Sequence, residues 1–217
     1  MKVLHVILVF HTLIRMSGLF NKEDFRDNCG FGLVANINGI QSHKVVINSI
    51  DALKSMTHRG GVGSDGKTGD GCGLLLDIDH NYFKNALLKE SKVDVGEYFA
   101  LAQIFYKNKI SRILPNIEEI LKKEGLELIF SREVPTNKKI LGKIALDCAP
   151  NIYQLFIKPI EKDFNKEKFD TGLIQARKFI EEIYMDDEIL YICSMSSKTI
   201  VYKGLMLPNA IKDFYID

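Results

Sequence analysis

The chain has 217 residues, of which 46% are hydrophobic and 26% are charged. This composition is typical of a folded globular protein, because it is too polar for a membrane-embedded chain and too apolar for a disordered one. The 29 Lys and Arg residues nearly balance the 28 Asp and Glu residues and form no long basic run, which argues against a nucleic-acid-binding surface.

An apolar run, VLHVILVFHTLI, stands near the N-terminus. It has the length of a secretory signal core but is too short to span a membrane. The run contains His5 and His11, ends at Arg15 and lacks an A-x-A cleavage site, so it does not favour a signal peptide. Met16 opens a second possible start, which makes the preceding residues a candidate extension.

Strand and helix patterns alternate from Asn28 onward. The sequence predicts a buried strand at CGFGLVANI, a helix at HKVVINSIDALKSM, a glycine-rich loop at HRGGVGSDGKTGDG and a second strand at CGLLLDI. A short helix over residues 82–89, a strand at YFALAQIFY and a helix over residues 112–124 follow.

The second half continues the same alternation. Strands are predicted at LELIFSREV, ILGKIAL and NIYQLFIKP, and the charged segment 161–184 carries a helical apolar stripe. Two further strands, EILYICSM and TIVYKGLM, are predicted to form a hairpin that turns at Ser196, Ser197 and Lys198. We therefore expect one α+β domain in which helices pack on antiparallel sheet.

The four cysteines, Cys29, Cys72, Cys148 and Cys193, are far apart, with no CxxC pair and no His at zinc-finger spacing. Their spacing predicts neither a metal site nor a disulfide framework. Because thiols stay reduced in the cytosol, the pattern fits a cytoplasmic protein. The default interpretation of each cysteine is a small buried hydrophobe, and Cys72 is expected to be a core residue.

Cys29 is the strongest candidate for chemistry. If the peptide bond between Asn28 and Cys29 is cleaved, the α-amino group of Cys29 lies beside its own thiol. The reference pKa of that amine is about 7.7–8.0 and that of a thiol is about 8.5. One residue can then serve as nucleophile and base near neutral pH.

The runs DNCGFGLVANINGIQSHKVV and MTHRGGVGSDGKTGDGCGLLL resemble the start of the large subunit of bacterial glutamate synthase, its class II glutamine amidotransferase domain. The resemblance continues through SREVPTN, YICSMSSKTIVYKGLMLP and DFYID. It implies an N-terminal-nucleophile (Ntn) hydrolase fold, a four-layer αββα sandwich with antiparallel sheets, incomplete at its C-terminus. Residues 1–28 would be an N-terminal extension and removable pro-segment, and residues 29–217 the N-terminal part of the amidotransferase domain.

The resemblance also implies a reaction. Cys29 would attack the amide of L-glutamine, release ammonia and leave a thioester that water resolves to glutamate. In the complete enzyme the ammonia would aminate 2-oxoglutarate at an FMN site, with electrons from NADPH or ferredoxin through an iron–sulfur cluster. No cofactor or metal is expected in this segment. The expected partners are L-glutamine, the remainder of the large subunit and the small subunit, without nucleic acid or membrane.

Arg59, in THRGG, matches the arginine of the family's HRG segment and is expected to bind substrate. The alternative is a surface arginine that caps the preceding helix. A structural role is expected for His58, because the family uses the cysteine's own amine as base. The pocket loop is expected to comprise Gly30, Gly60, Asp70, Gly71 and Gly73, where glycine permits tight turns.

Two other interpretations remain open. The family's HNGE and RFSTN segments, which carry the oxyanion-hole pair and the carboxylate-binding arginine, do not occur in this sequence. We therefore expect the chain alone to be inactive, and it could be a non-catalytic remnant of a split gene.

The second alternative is nucleotide binding. Gly61, Gly66, Lys67 and Thr68 in GVGSDGKT satisfy the G-x-x-x-x-G-K-[ST] pattern of a phosphate loop. That motif needs a strand before it and a helix after it. The sequence predicts the reverse order, which disfavours this alternative.

Overall fold

The computed structural model describes residues 30–161, 163–184 and 190–216. The helices are α1 (His43–Ser55), α2 (His80–Ser91), α3 (Leu114–Lys123), α4 (Lys143–Cys148), α5 (Lys166–Ile183) and α6 (Ile211–Phe214). The strands are β1 (Cys72–Asp77), β2 (Ala100–Tyr106), β3 (Leu126–Glu133), β4 (Asn151–Pro159), β5 (Leu190–Ser196) and β6 (Thr199–Gly204). Cys29 and the predicted extension and pro-segment lie outside the described residues.

The strands form two antiparallel sheets. One has four strands in the order β3-β4-β2-β5, and the other pairs β1 with β6. One face of the four-stranded sheet packs under α3 and α5, where Ile104 and Leu155 of the sheet meet Ile117 and Leu173 of the helices. Helices on antiparallel sheet confirm the predicted α+β class.

The opposite face of the four-stranded sheet packs towards the smaller sheet. Leu101 and Phe156 share a core cluster there with Ile200 of β6, and α2 adds Phe83 and Leu87. Side chains alternate between the two faces of a strand, so a strand between two packed layers must be apolar on both. The helix α1 contacts β1, beside the smaller sheet.

The helix α5 shows how local sequence specifies an element. Its N-cap, Asn165, accepts hydrogen bonds from the N–H groups of Glu167 and Lys168 at 2.8 and 3.2 Å. The buried residues of the helix recur at three- and four-residue steps and face the sheet: Phe169, Leu173, Ala176 and Ile180. No helix among the described residues is both long and apolar enough to cross a membrane.

The predicted strand at CGFGLVANI is wrong over its described part, residues 30–37, which is irregular. Phe31 is 93% exposed and Leu33 is 88% exposed. A strand needs a hydrogen-bonded neighbour, and this segment has none among the described residues. An apolar run alone does not show whether such a partner exists.

The predicted strand at ILGKIAL is also wrong. A 3₁₀ turn at Lys138–Ile140 and the helix α4 occupy these positions. Ala145 is buried while Ile144 and Leu146 are each 47% exposed, so the run does not present its large apolar side chains to one sheet face. Short apolar runs do not distinguish a strand from a helix.

The predicted hairpin between the last two strands is wrong, although the turn lies where it was expected. β5 pairs with β2 and β6 pairs with β1, so the turn joins the two sheets. Ser196 Oγ accepts hydrogen bonds from the N–H groups of Lys198 and Thr199, and the buried Ser197 hydroxyl donates to Asp170 of α5. Turn residues locate a turn but do not choose the partner of the next strand.

Leu173→Ala should lower the free energy of unfolding by about 2–5 kcal/mol, because the leucine fills a closed space between α5 and the sheet. Its neighbour supplies the control: Leu173 is 1% exposed and Ile174 is 56% exposed. Ile174→Ala should change that free energy by only about 0.5 kcal/mol. Urea unfolding followed by circular dichroism measures both, and equal losses would contradict the placement of α5.

Candidate functional site

The glycine-rich loop (residues 58–71) joins α1 to β1 and carries most of the predicted site residues. After α1 the chain makes a 3₁₀ turn at Thr57–Arg59, and a β-bridge then pairs Val62 with Gly69. The chain enters β1 at Cys72. The loop is thus a folded-back arm whose two ends lie close together.

Gly30 and Arg59, which are far apart in sequence, meet at the start of this loop. A Cβ placed on Gly30 would lie 3.5 Å from Arg59 Cγ and 3.4 Å from Met56 Sδ. The sequence neighbour of Cys29 therefore lies beside the side chain of Arg59, while Cys29 itself lies outside the described residues.

Arg59 is exposed, and its guanidinium makes no hydrogen bond or ion pair with the described residues. Its side chain therefore does not cap α1, as the alternative interpretation required. His58 is exposed in the same 3₁₀ turn.

Asp70 joins the two ends of the loop. Its Oδ2 accepts a hydrogen bond from the N–H of Gly61 at 2.9 Å. A Cβ at Gly60 would lie 2.8 Å from Asp70 Oδ1, closer than a side chain can approach. Glycine at position 60 therefore lets the carboxylate reach the turn, and the structure brings these two predicted residues together.

Gly71 and Gly73 allow the chain to enter β1 close to β6. The φ angle of Gly71 is +122°, a conformation that favours glycine. A Cβ on Gly73 would lie 2.8 Å from the carbonyl oxygen of Tyr202 in β6. Both glycines are required by backbone geometry at the edge of the candidate site.

A cavity of about 640 Å³ opens beside β1 and β6, and three of the predicted pocket residues line it: Asp70, Gly71 and Gly73. Its other walls are mostly apolar and include Leu74, Phe105, Ile152 and Met206. Asp70 and Lys203 are its charged lining residues. Gly30, Arg59 and Gly60 form a neighbouring group, which Asp70 connects to the cavity.

The described cysteines differ in reactivity. Burial, with a smaller contribution from the charge of Asp70, raises the pKa of the Cys72 thiol to about 11. Burial raises the pKa of Cys193 to about 12, whereas Cys148 is exposed. Protonated thiols are poor nucleophiles. The buried Cys193 and the half-buried Cys72, which lines the cavity, are therefore poor nucleophiles at neutral pH.

Residues 61–68 do not form a phosphate loop. They follow a 3₁₀ turn and precede strand β1. The N–H groups of Lys67 and Thr68 donate to Asp65 Oδ1 at 3.0 and 2.8 Å, and the Thr68 hydroxyl donates to Asp65 Oδ2 at 2.7 Å. The loop's own carboxylate occupies the donors that a phosphate would need. The structure contradicts the nucleotide-binding alternative.

Asp65 is a residue that the sequence analysis missed. In a known turn pattern, an aspartate accepts hydrogen bonds from the main-chain N–H groups two and three residues after it. The segment S-D-G-K-T contains this pattern. Its fourth contact had no sequence signal, because the N–H of Ile144 that donates to Asp65 Oδ2 at 3.0 Å lies 79 positions away.

At pH 8, iodoacetamide should alkylate Cys148 much faster than Cys72 or Cys193 in the native chain. With a pKa of about 11, only about one Cys72 thiol in a thousand is ionised at that pH. Raising the pH towards 10 should speed Cys72 alkylation about tenfold per unit. Peptide mass spectrometry measures each site, and urea-unfolded chain, where the three thiols should react alike, is the control. Equal native rates at pH 8 would contradict the raised pKa of the Cys72 thiol.

Titration of Mg-ATP into the chain should give no saturable heat, because the loop donors are already bonded to Asp65. Lys67→Ala should leave that result unchanged. Isothermal titration calorimetry is the measurement. Micromolar binding that disappears in Lys67→Ala would restore the phosphate-loop interpretation.

Residues 29–217 match the family described as glutamine amidotransferases class-II. The chain is 38% identical over 211 residues to ferredoxin-dependent glutamate synthase 1, chloroplastic/mitochondrial, of Arabidopsis thaliana, which covers 91% of this chain and 13% of the relative. It is 35% identical over 213 residues to the NADH glutamate synthase of Saccharomyces cerevisiae, covering 92% of this chain and 10% of the relative. It is 32% identical over 214 residues to the NADPH glutamate synthase large chain of Bacillus subtilis, and this match covers 97% of this chain and 14% of the relative.

The chain thus spans between 10% and 14% of the length of these relatives. The family match includes the glycine-rich loop and both sheets, and it confirms the resemblance seen in the cysteine and HRG segments. The chain belongs to the class II glutamine amidotransferases and corresponds to the amidotransferase domain of glutamate synthases.

Proposed function

We propose that this chain supplies the nucleophile of a glutaminase site, with Cys29 attacking L-glutamine after cleavage of the bond to Asn28. The observation that carries the proposal is the position of Gly30, the neighbour of Cys29, beside the side chain of Arg59 in the HRG turn. The family match that begins at residue 29 supports the same boundary. Residues 1–28 are then an extension and pro-segment, and residues 29–217 are the N-terminal part of the domain.

A terminal cysteine can carry out the first step with its own base. The reference pKa of an α-amine, about 7.7–8.0, lies just below that of a thiol, about 8.5, so the amine can take the thiol proton as sulfur attacks the amide carbon. Ammonia leaves with that proton, and a glutamyl thioester remains. Water then attacks the thioester, which regenerates the thiol and releases glutamate.

Arg59 is proposed to bind the substrate. Its stem lies beside Gly30, and its guanidinium is exposed without a partner among the described residues. A guanidinium is a donor only, so its targets on glutamine are carboxylate or carbonyl oxygens. The position beside Gly30 would place such a donor near the reacting end of the chain.

The pocket wall is proposed to comprise Gly30, Gly60, Asp70, Gly71 and Gly73. Asp70 contacts the Gly60 turn and also lines the cavity next to β1. The glycines let the main chain approach the site without side chains in between. These contacts support one continuous surface from Gly30 to the cavity.

For the complete protein we propose glutamate synthase activity, in which the ammonia aminates 2-oxoglutarate with FMN and an iron–sulfur cluster. The ferredoxin-dependent, NADH and NADPH enzymes among the relatives support this proposal and leave the electron donor open. Partners would be the rest of the large subunit and the small subunit. A cytoplasmic location is proposed from the free thiols of Cys72, Cys148 and Cys193.

N-terminal sequencing of the active complete protein should read CGFGLV. Cys29→Ala should reduce glutamine-dependent glutamate formation by about 100-fold or more, because the nucleophile is removed, and should leave ammonia-dependent formation in place. Cys193→Ala, which removes a buried thiol, is the control and should retain both activities.

Two results would contradict the proposal. One is an intact bond between Asn28 and Cys29 in fully active protein, which would exclude the amine as base. The other is loss of both activities in Cys29→Ala, which would indicate that Cys29 supports the structure.

A further inference from the structure

One carboxylate joins the glycine-rich loop to α4. Asp65 Oδ1 accepts hydrogen bonds from the N–H groups of Lys67 and Thr68, and Oδ2 accepts from the Thr68 hydroxyl and from the N–H of Ile144. Thr68 Oγ1 in turn accepts from the N–H of Ala145 at 3.2 Å. Two N–H groups of the first turn of α4, which have no partner within the helix, are thus satisfied from the loop.

The junction is tightly packed. A Cβ on Gly142, the N-cap of α4, would overlap Asp65 Oδ2 and Thr68 Oγ1. Thr68 is 6% exposed, and a Cβ on Gly69 would lie 2.5 Å from the carbonyl oxygen of Met206. The middle of the loop is therefore held between α4 and the segment that follows β6.

The junction also holds both arms of the loop. The N–H of Gly63 donates to the carbonyl oxygen of Thr68 at 2.7 Å, and the bridge between Val62 and Gly69 follows. One arm leads back to Arg59 and the other leads on to Asp70. A shift at Asp65 would therefore be transmitted to both predicted site residues.

We propose that Asp65 is a positioning residue for the glutaminase site. Through Thr68 and α4 it fixes the loop that holds Arg59 beside Gly30 and Asp70 beside Gly60. The inference rests on the proposed function of this site. It assigns no contact with glutamine to Asp65.

The negative charge is essential to this role. The four donors, the Thr68 hydroxyl first, hold the pKa of Asp65 well below its usual range, so the group is ionised at neutral pH. An ionised carboxylate accepts at both oxygens, whereas asparagine presents an NH₂ group, itself a donor, to one set of N–H or O–H donors. Asp65→Asn therefore keeps the shape of the side chain but removes the acceptor for one of the two sets of donors.

Hydrogen exchange on the full 217-residue chain tests the junction. Asp65→Asn should speed exchange in peptides that contain Lys67, Thr68 and Ile144, while peptides from β2 and β4 stay as protected as in the unaltered chain. Thr68→Val, which keeps the shape but loses the hydroxyl, should have the same effect, and Thr68→Ser should restore protection. Asp51→Asn, at an exposed position of α1, is the control for loss of one negative charge.

Kinetics of the complete protein test the positioning role. Asp65→Asn and Thr68→Val should lower glutamine-dependent kcat/KM by about tenfold or more, because misplacement of binding groups weakens transition-state contacts. The same two variants should keep ammonia-dependent synthesis within about twofold of the unaltered protein. The control variants Thr68→Ser and Asp51→Asn should keep both activities within about twofold.

Unchanged glutamine kinetics in Asp65→Asn and Thr68→Val would overturn the inference. Equal loss of both activities, or loss of protection throughout the chain, would also overturn it, because the role would then be general stability. If Cys29→Ala retains glutamine turnover, the proposed function fails instead. These outcomes separate the two proposals.

Discussion

Strands β2 and β4 are buried on both faces, and this constraint determines how the rest of the chain packs. Ala102 and Leu155 face the helices, whereas Leu101 and Phe156 face the smaller sheet, and all four are fully buried. Such strands cannot leave polar groups unpaired without a large cost. The helices α3 and α5 must therefore cover one face, while β1, β6 and α2 cover the other.

The polar residues on these strands meet part of that constraint by bonding to one another, whereas the buried Nε2 of Gln103 has no hydrogen-bond partner among the described residues. Gln154 donates to Gln103 Oε1 at 3.0 Å and accepts from Arg132 Nε at 2.9 Å. Arg132 also pairs with Glu90 of α2 at 3.2 Å. This row crosses β2, β4 and β3 at right angles to the strands, so a one-residue slip of any strand would break it. The row helps to fix the register on which the cores on both sides depend.

Sequence patterns predicted the elements whose stability is local or whose apolar pattern is long. The stripe of α5 and its Asn165 cap are contained in one segment, which is why the helix could be predicted. The strand expected at residues 30–37 failed because a strand depends on a partner elsewhere in the chain. The same limit explains the last two strands, where the turn at Ser197 was recognisable but the change of sheet was not.

The candidate site likewise has a part that local sequence encodes and a part that depends on residues far away in the chain. Arg59, Asp70 and the glycines between them lie in one motif, and the hydrogen bond from Gly61 to Asp70 spans nine positions, so the loop's shape is encoded locally. The place of the loop in the fold is not encoded locally, because the hydrogen bond between Asp65 and Ile144 joins residues 79 positions apart. The position of the loop thus depends on its hydrogen bonds with the N–H groups of Ile144 and Ala145 in α4. We therefore expect the geometry of the proposed site to depend on the carboxylate of Asp65, which ties the glycine-rich loop to α4.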